Sequence, residues 1–220
     1  MIFCKILVFF HLSFNVFALD IPSLSGPVMD HANIFTNTEK AKAKNIIMDL
    51  YRSAGPQLQI YTVKSLEGES LEGYTIEVVE KWKLGDKERD DGVLLFLAKD
   101  DRKVRIEVGD GLEGKLTDYK SRQIIDLMIP YFKKGNYGEG ILAGTEAISK
   151  VIKGEEVTLP KIKKKEVDLS LTDIFYLILF FAALFFTRGG GLVSGYSRSS
   201  GSSWSGGGGS FSGGGSSGSW

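Results

Sequence analysis

Helical and strand-like hydrophobic patterns alternate along residues 19–154, and this alternation restricts the fold more than any other feature. A capping box at TNTE (36–39) opens a helix whose apolar residues recur at helical spacing as far as Gly55. A strand-like run at 58–63, a helix capped by Ser70 and a short apolar run at 93–97 follow. The run at 93–97 is typical of a strand that is covered on both faces.

The second half of this region continues the pattern. Apolar and polar residues alternate over 104–108, which predicts an antiparallel partner for the strand at 93–97. Thr117 caps a third helix that Pro130 should end or kink, and residues 136–153 carry a fourth helical pattern. We therefore predict an α/β fold, a three-layer αβα sandwich in which helices cover both faces of a mixed sheet.

The first 18 residues have the form of a secretory signal peptide. Lys5 precedes an apolar run, and Val16 and Ala18 occupy the small-residue positions of a cleavage site. The alternative is an uncleaved N-terminal anchor, and both interpretations place the following domain, residues 19–160, on the exported side of a membrane.

A second apolar run covers residues 169–187. Nineteen helical residues span about 28 Å, close to the thickness of the hydrocarbon core, so we predict a single transmembrane helix that contacts the lipid bilayer. The alternative is a buried or interfacial helix. With one crossing, the basic linker 161–168 lies on the exported side and residues 188–220 lie inside. The basic residues then oppose the usual cytoplasmic excess, but the first hydrophobic segment generally sets the orientation.

Residues 188–220 contain 13 glycines and 12 serines. Such a composition buries too little apolar surface to offset the entropy of ordering, so we predict a disordered tail. Two roles stay open for it, an inert flexible tail and a contact role for its aromatic residues, which are Trp204, Phe211 and Trp220.

Composition excludes several functions. The 27 basic and 27 acidic residues cancel, which argues against nucleic acid as a partner. The single cysteine, Cys4, and His11 lie in the predicted signal peptide, which leaves His31 as the only histidine of the mature chain. Disulfides, thiolate sites and two-histidine zinc sites are therefore excluded, and carboxylates are the candidates for chemistry.

Acidic residues should meet at one edge of the predicted sheet, because the strand at 93–97 begins where its antiparallel partner at 104–108 ends. This brings together Asp90, Asp91, Asp110 and Glu113, with Asp118 in the first turn of the next helix. Crowded carboxylates favour a hard cation, so we predict a calcium or magnesium site. The alternative is that these residues are ordinary solvated turn formers.

The run GDGLEG (109–114) matches the dinucleotide-binding spacing formally. It follows an antiparallel strand, and no later strand carries a ribose-binding carboxylate, so we exclude a dinucleotide. We expect close backbone approach and a positive φ at Gly109 or Gly111 instead. Arg105 shares a strand face with Glu107, which favours an ion pair, with phosphate binding as the alternative.

These residues resemble the TPM domain, a small α/β domain of exported proteins, over about residues 26–153. The matching pieces are VMDHA (28–32), WKLG (82–85) continuing to DDGVLL (90–95), RIEVGDGLEG (105–114), LTD (116–118), IP (129–130) and GNY (135–137) with Gly140. Members of the family are similar to this chain outside the domain too, with a signal peptide, one membrane helix and a Gly/Ser tail.

The resemblance implies a membrane-anchored exported module. A plant thylakoid relative is associated with acid phosphatase activity and photosystem repair, and some relatives bind divalent cations at acidic loops. Position by position, the resemblance implies metal ligands at Asp30, Asp90, Asp91, Glu113 and Asp118. We expect a module that binds a divalent cation and a partner protein in envelope or membrane-protein maintenance. The alternative is a metal-assisted phosphatase, with the cation held by Asp90, Asp91 and Asp118 and with Arg105 neutralising charge.

Overall fold

A computed structural model describes residues 19–161 and 211–220. These residues contain a five-stranded mixed sheet with sequential strand order and four α-helices. The strands are β1 (Val28–Asp30), β2 (Gln57–Val63), β3 (Gly92–Ala98), β4 (Lys103–Val108) and β5 (Gly215–Ser219). The helices are α1 (Asn37–Ala54), α2 (Leu71–Trp82), α3 (Asp118–Lys133) and α4 (Tyr137–Lys153).

The predicted helix starts are confirmed. Thr36 and Glu39 form the reciprocal capping box of α1, and Gly55 ends that helix at a φ of 93°. Ser70 and Thr117 cap α2 and α3 through their hydroxyl groups. Helix α3 runs through Pro130 and ends three residues later, so the proline does not terminate it.

The sheet combines both kinds of pairing. β1, β2 and β3 are parallel, with α1 and α2 as the crossovers, whereas β4 is antiparallel to β3 and β5 is antiparallel to β4. Val93 lies opposite Val108, which confirms that β3 begins at the edge of the sheet where β4 ends.

Two hydrophobic cores cover the two faces of the sheet, as predicted. One core joins the sheet to α1, α3 and α4, and its members include Leu50, Ile60, Ile106, Ile125 and Ile148. The other joins it to α2, and its members include Tyr61, Leu66, Tyr74, Val78 and Phe96. β3 is buried along its whole length, as expected for a strand between two helical layers.

The disorder predicted for residues 188–220 is wrong for residues 211–220. These residues pair with the edge of β4 from Lys103↔Ser219 to Glu107↔Gly215. Glycine and serine bury little apolar surface of their own, which is why their abundance predicted disorder. Here the ladder satisfies the backbone of the tail, and Phe211 and Trp220 pack on cores that the domain already has.

The positive φ expected at Gly109 or Gly111 is also wrong, because neither residue is among those with positive φ. Gly109 has a φ of −69°. The expected close approach is present: a Cβ atom on Gly111 would overlap the carbonyl oxygen of Arg89, and one on Gly109 would overlap that of Asp90. At both positions a side chain is excluded because there is no room for it, not because of the backbone conformation.

No helix in the described ranges is long and apolar enough to cross a membrane. The predicted signal peptide at 1–18 and the predicted transmembrane run at 169–187 lie outside those ranges.

Candidate peptide-binding groove

The tail lies in a groove along the open edge of β4, which we call the tail groove. The outer edge of β4 forms its floor, and side chains from α2, α3 and the loop between β4 and α3 line it. Its lining residues include Glu72, Arg105, Glu113, Asp118, Ile125 and Phe132. Alternation along β5 turns Ser217 towards Glu72 of α2 and Gly218 towards Ile125 of α3.

A buried charge network holds the middle of the tail. Arg105 is 7% exposed and Glu107 is fully buried, and their side chains form a two-pronged ion pair. Thr75 Oγ1 donates a further hydrogen bond of 2.5 Å to Glu107 Oε1. The predicted Arg105–Glu107 pair is thus confirmed. Because this pair uses Nε and Nη2 of Arg105, it leaves Nη1 directed at the tail.

Ser217 is the tail residue that this network binds. Its hydroxyl accepts a 2.8 Å hydrogen bond from Arg105 Nη1 and donates a 2.7 Å hydrogen bond to Glu72 Oε1. Arg122 Nη1 donates to the carbonyl oxygen of Ser217 at 3.1 Å. The hydrogen bond from Ser217 is the main cause that lowers the pKa of Glu72 below its usual range, and the positive charge of Arg105 acts in the same direction.

Three carboxylates from the predicted acidic cluster hold the first part of the tail. Asp110 Oδ1 accepts from Ser212 N at 3.0 Å, and Glu113 Oε1 accepts from Ser212 Oγ at 3.3 Å. Asp118 Oδ1 accepts from Gly215 N at 2.7 Å. The prediction that these acidic residues lie at one edge of the sheet is therefore correct. Their partner in the structure is the polypeptide of the tail.

Aromatic residues at both ends of the tail pack on the domain. The ring of Trp220 lies 4.6 Å from the ring of Phe132 and 6.0 Å from that of Tyr137, between centroids. Phe211 packs on the other core, where its ring lies against Gly92. The contact role left open for the tail aromatics is confirmed for these two residues, and Trp204 lies outside the described ranges.

The remaining predicted ligands have other positions and partners. Asp91 is buried, receives a 2.7 Å hydrogen bond from Arg89 Nε and accepts from the backbone of Asp86 at 2.8 Å, which closes the 86–91 loop. The same carboxylate raises the pKa of Arg89. The backbone carbonyl of Asp90 accepts from Gly111 N at 3.1 Å and ties this loop to the turn after β4.

Asp30 does not join the other predicted ligands. It lies at the end of β1 beside Thr62 of β2, whereas Gly92, next to Asp91, lies beside Gln57. These two positions on β2 are separated by about 16 Å of strand. Asp30 instead accepts hydrogen bonds from Thr62 Oγ1 at 2.6 Å and from the backbone of Ile34 and Phe35, which shape the turn before α1.

Among the described residues, no group of three or more Asp, Glu, His or Cys side chains has a geometry that could hold a metal ion. The tail groove itself was missed by the sequence analysis. Its one signal was the spacing of the tail aromatics, because glycine and serine carry no hydrophobic pattern that would indicate a strand.

The family model of the TPM domain matches residues 28–151, more than half of the chain, and the protein therefore belongs to the TPM domain family. A search of curated proteins gave no match.

Among solved structures, the N-terminal domain of a P. gingivalis protein is 34% identical, with a TM-score of 0.55; the match covers 58% of this chain and 82% of that one. The N-terminal domain of the cg2496 protein of Corynebacterium glutamicum is 13% identical, with a TM-score of 0.48 and coverage of 68% and 96%. The BA42 protein of Bizionia argentinensis is 19% identical, with a TM-score of 0.48 and coverage of 55% and 82%.

Proposed function

We propose that this TPM domain is an exported, membrane-attached module that binds a partner polypeptide by strand addition along the tail groove. The observation that carries this proposal is the seating of the tail as β5. Strand addition provides main-chain hydrogen bonds at an open sheet edge, and pockets for alternate side chains provide selectivity. Export and membrane attachment rest on the sequence of residues 1–18 and 169–187.

The chemistry of the groove supports a polypeptide ligand. Asp118 and Arg122 bind main-chain atoms of the tail, and Arg105 is buried with one nitrogen directed at the ligand. Because Glu107 compensates the charge of Arg105, the buried guanidinium group presents its free nitrogen to the ligand without an uncompensated buried charge. Such preorganisation lowers the entropic cost of binding an extended segment.

The tail is then an intramolecular competitor of the partner. A ligand on the same chain can reach an effective concentration of roughly millimolar, so a free partner must bind strongly or meet a groove that has been vacated. The groove is therefore open to a partner only when its own tail has left it. Such control suits a module that acts in envelope or membrane-protein maintenance.

The test uses the full chain in detergent, with a protease site inserted between Gly206 and Gly207. After cleavage, only the groove retains the tail, and an added fluorescent peptide of residues 211–220 should replace it in a saturable manner. Unlabelled peptide should compete with the labelled one. A cleaved chain that keeps no tail and takes up no peptide at millimolar concentration would contradict the proposal.

Divalent cation binding is a second proposal. It is supported by the two domain carboxylates Glu113 and Asp118, which both bind the short tail segment 212–215. A calcium or magnesium ion at these carboxylates would compete with the tail for them. We expect either cation to accelerate release of the cleaved tail, and Glu113→Gln with Asp118→Asn to remove this effect. Release of the cleaved tail at the same rate with and without the cation would contradict this proposal.

The metal-assisted phosphatase is the weaker alternative. It needs Asp90, Asp91 and Asp118 around one cation, but Asp91 is paired with Arg89 and Asp118 is bound to Gly215. Arg105, its proposed charge-neutralising residue, is paired with Glu107.

A further inference from the structure

Two glycines of the tail lie where the groove leaves no space for a side chain. A Cβ atom on Gly218 would overlap Cγ2 of the buried Ile125. Gly215 has a φ of 126°, and its Cβ atom would overlap the carbonyl oxygen of Ile106. A ligand in this register therefore needs glycine at both positions.

Two further positions have their own partners. Ser217 is small enough to fit between Arg105 and Glu72 while bonding to both. A residue without a hydroxyl would leave the buried Arg105 nitrogen with one partner fewer. Trp220 fills the aromatic corner formed by Phe132 and Tyr137. By contrast, Ser219 is exposed and its position places no demand on the side chain.

We propose that the tail groove selects the pattern Gly-x-Ser-Gly-x-Trp, as present at residues 215–220, and that the partner polypeptide carries this pattern. This inference rests on the proposed function and specifies its ligand. Backbone pairing alone would accept many extended segments, whereas the two glycines, the serine and the tryptophan together accept few. A second copy of this chain is one polypeptide that carries the pattern.

The chain supplies a natural control in residues 195–204, GYSRSSGSSW. This segment shares Ser-Ser-Gly with the tail, but its tryptophan follows the glycine by three residues instead of two. In a strand, this shift turns the tryptophan to the opposite face. With Gly201 in the position of Gly218, the segment also places Arg198 at the position of Gly215, where the groove requires glycine.

The experiment measures exchange of labelled ten-residue peptides into the cleaved full chain described above. We expect the peptide 211–220 and its Ser219→Val variant to bind equally. The Gly218→Ala and Trp220→Ala variants and the 195–204 peptide should each bind at least about tenfold more weakly. Because only the peptide is changed, loss of binding does not reflect unfolding of the domain.

The outcomes separate this inference from the proposed function. If all peptides bind within about twofold of one another, the groove adds strands without selecting them. The proposed function then stands and the pattern is rejected. If the peptide 211–220 itself fails to bind, the proposed function is rejected together with the pattern.

Discussion

At the scale of single residues, the buried Arg105–Glu107 pair is the most sensitive point of the domain. Glu107→Gln removes the charge that compensates Arg105 in a buried site. We expect a loss of about 3–5 kcal/mol in the free energy of unfolding, as is typical when one partner of a buried pair is removed. Urea denaturation measures the loss, and Glu156→Gln, at an exposed position, serves as the control and should change little.

Gly111 gives a second prediction at this scale. Its missing side chain lets the turn after β4 reach the Arg89 carbonyl, with Gly111 N bonded to Asp90 O. Gly111→Ala should therefore lower the free energy of unfolding by about 1–3 kcal/mol through overpacking. Gly114 lies in the same turn region with open space around it, and Gly114→Ala is the matched control for thermal denaturation. Equal melting temperatures for the two variants would refute the steric explanation.

Sequence reasoning succeeded where a residue interacts with close neighbours in the chain. The capping box of Thr36 and the pairing of Arg105 with Glu107 both follow from local spacing. It did not find the hydrogen-bond partner of Asp118, because Gly215 lies 97 residues away. It did not place Asp30 either, because β1 is only three residues long and carries no alternation that could show which end of the sheet Asp30 occupies.

At the scale of elements, β5 contrasts with every other strand of the sheet. β2, β3 and β4 are rich in residues that favour strands, and their hydrophobic patterns predicted them. β5 consists of glycine and serine alone, so its conformation is imposed by the edge of β4 and by side chains of the groove. Such a strand is visible in a sequence only when the surface that receives it is known.

The pH dependence of tail binding follows from Glu72. Its pKa is lowered when Ser217 is bound, so this contribution to binding is present above the ordinary pKa of the carboxyl group, about 4.3, and is lost as the pH falls through the lowered value. Release of the cleaved tail should accelerate in acid. In Glu72→Gln, the acceleration should be smaller than in the wild type, which stopped-flow fluorescence of a labelled tail would measure. Identical pH profiles would assign the acid effect to other carboxylates.

At the scale of the whole molecule, the sequence predicted the layers of the fold but not the extent of its sheet. Crossover helices and an antiparallel hairpin specify β2, β3 and β4 and the two cores around them. The fifth strand comes from a segment separated from the domain by residues 162–210, and no local pattern connects the two.

β5 also fixes the parity of membrane crossings. Paired strands lie about 4.8 Å apart, so β4 and β5 must occupy one compartment. A chain that leaves this compartment after residue 161 and returns to it before residue 211 crosses the bilayer an even number of times. The run at 169–187 has the length for one crossing. A single crossing by this run does not agree with the sheet, whereas the buried or interfacial alternative does. We therefore expect residues 211–220 to lie in the same compartment as the domain.

Cysteine labelling in intact cells tests this parity. In a chain that carries Cys4→Ser, a membrane-impermeant maleimide should label Ser219→Cys to the same extent as Glu67→Cys, since both positions are exposed. Labelling of the domain position alone would place the tail across the membrane and restore the single crossing. A strand with no hydrophobic residue thus requires residues 215–219 to share a compartment with β4, because a sheet cannot be divided between two compartments.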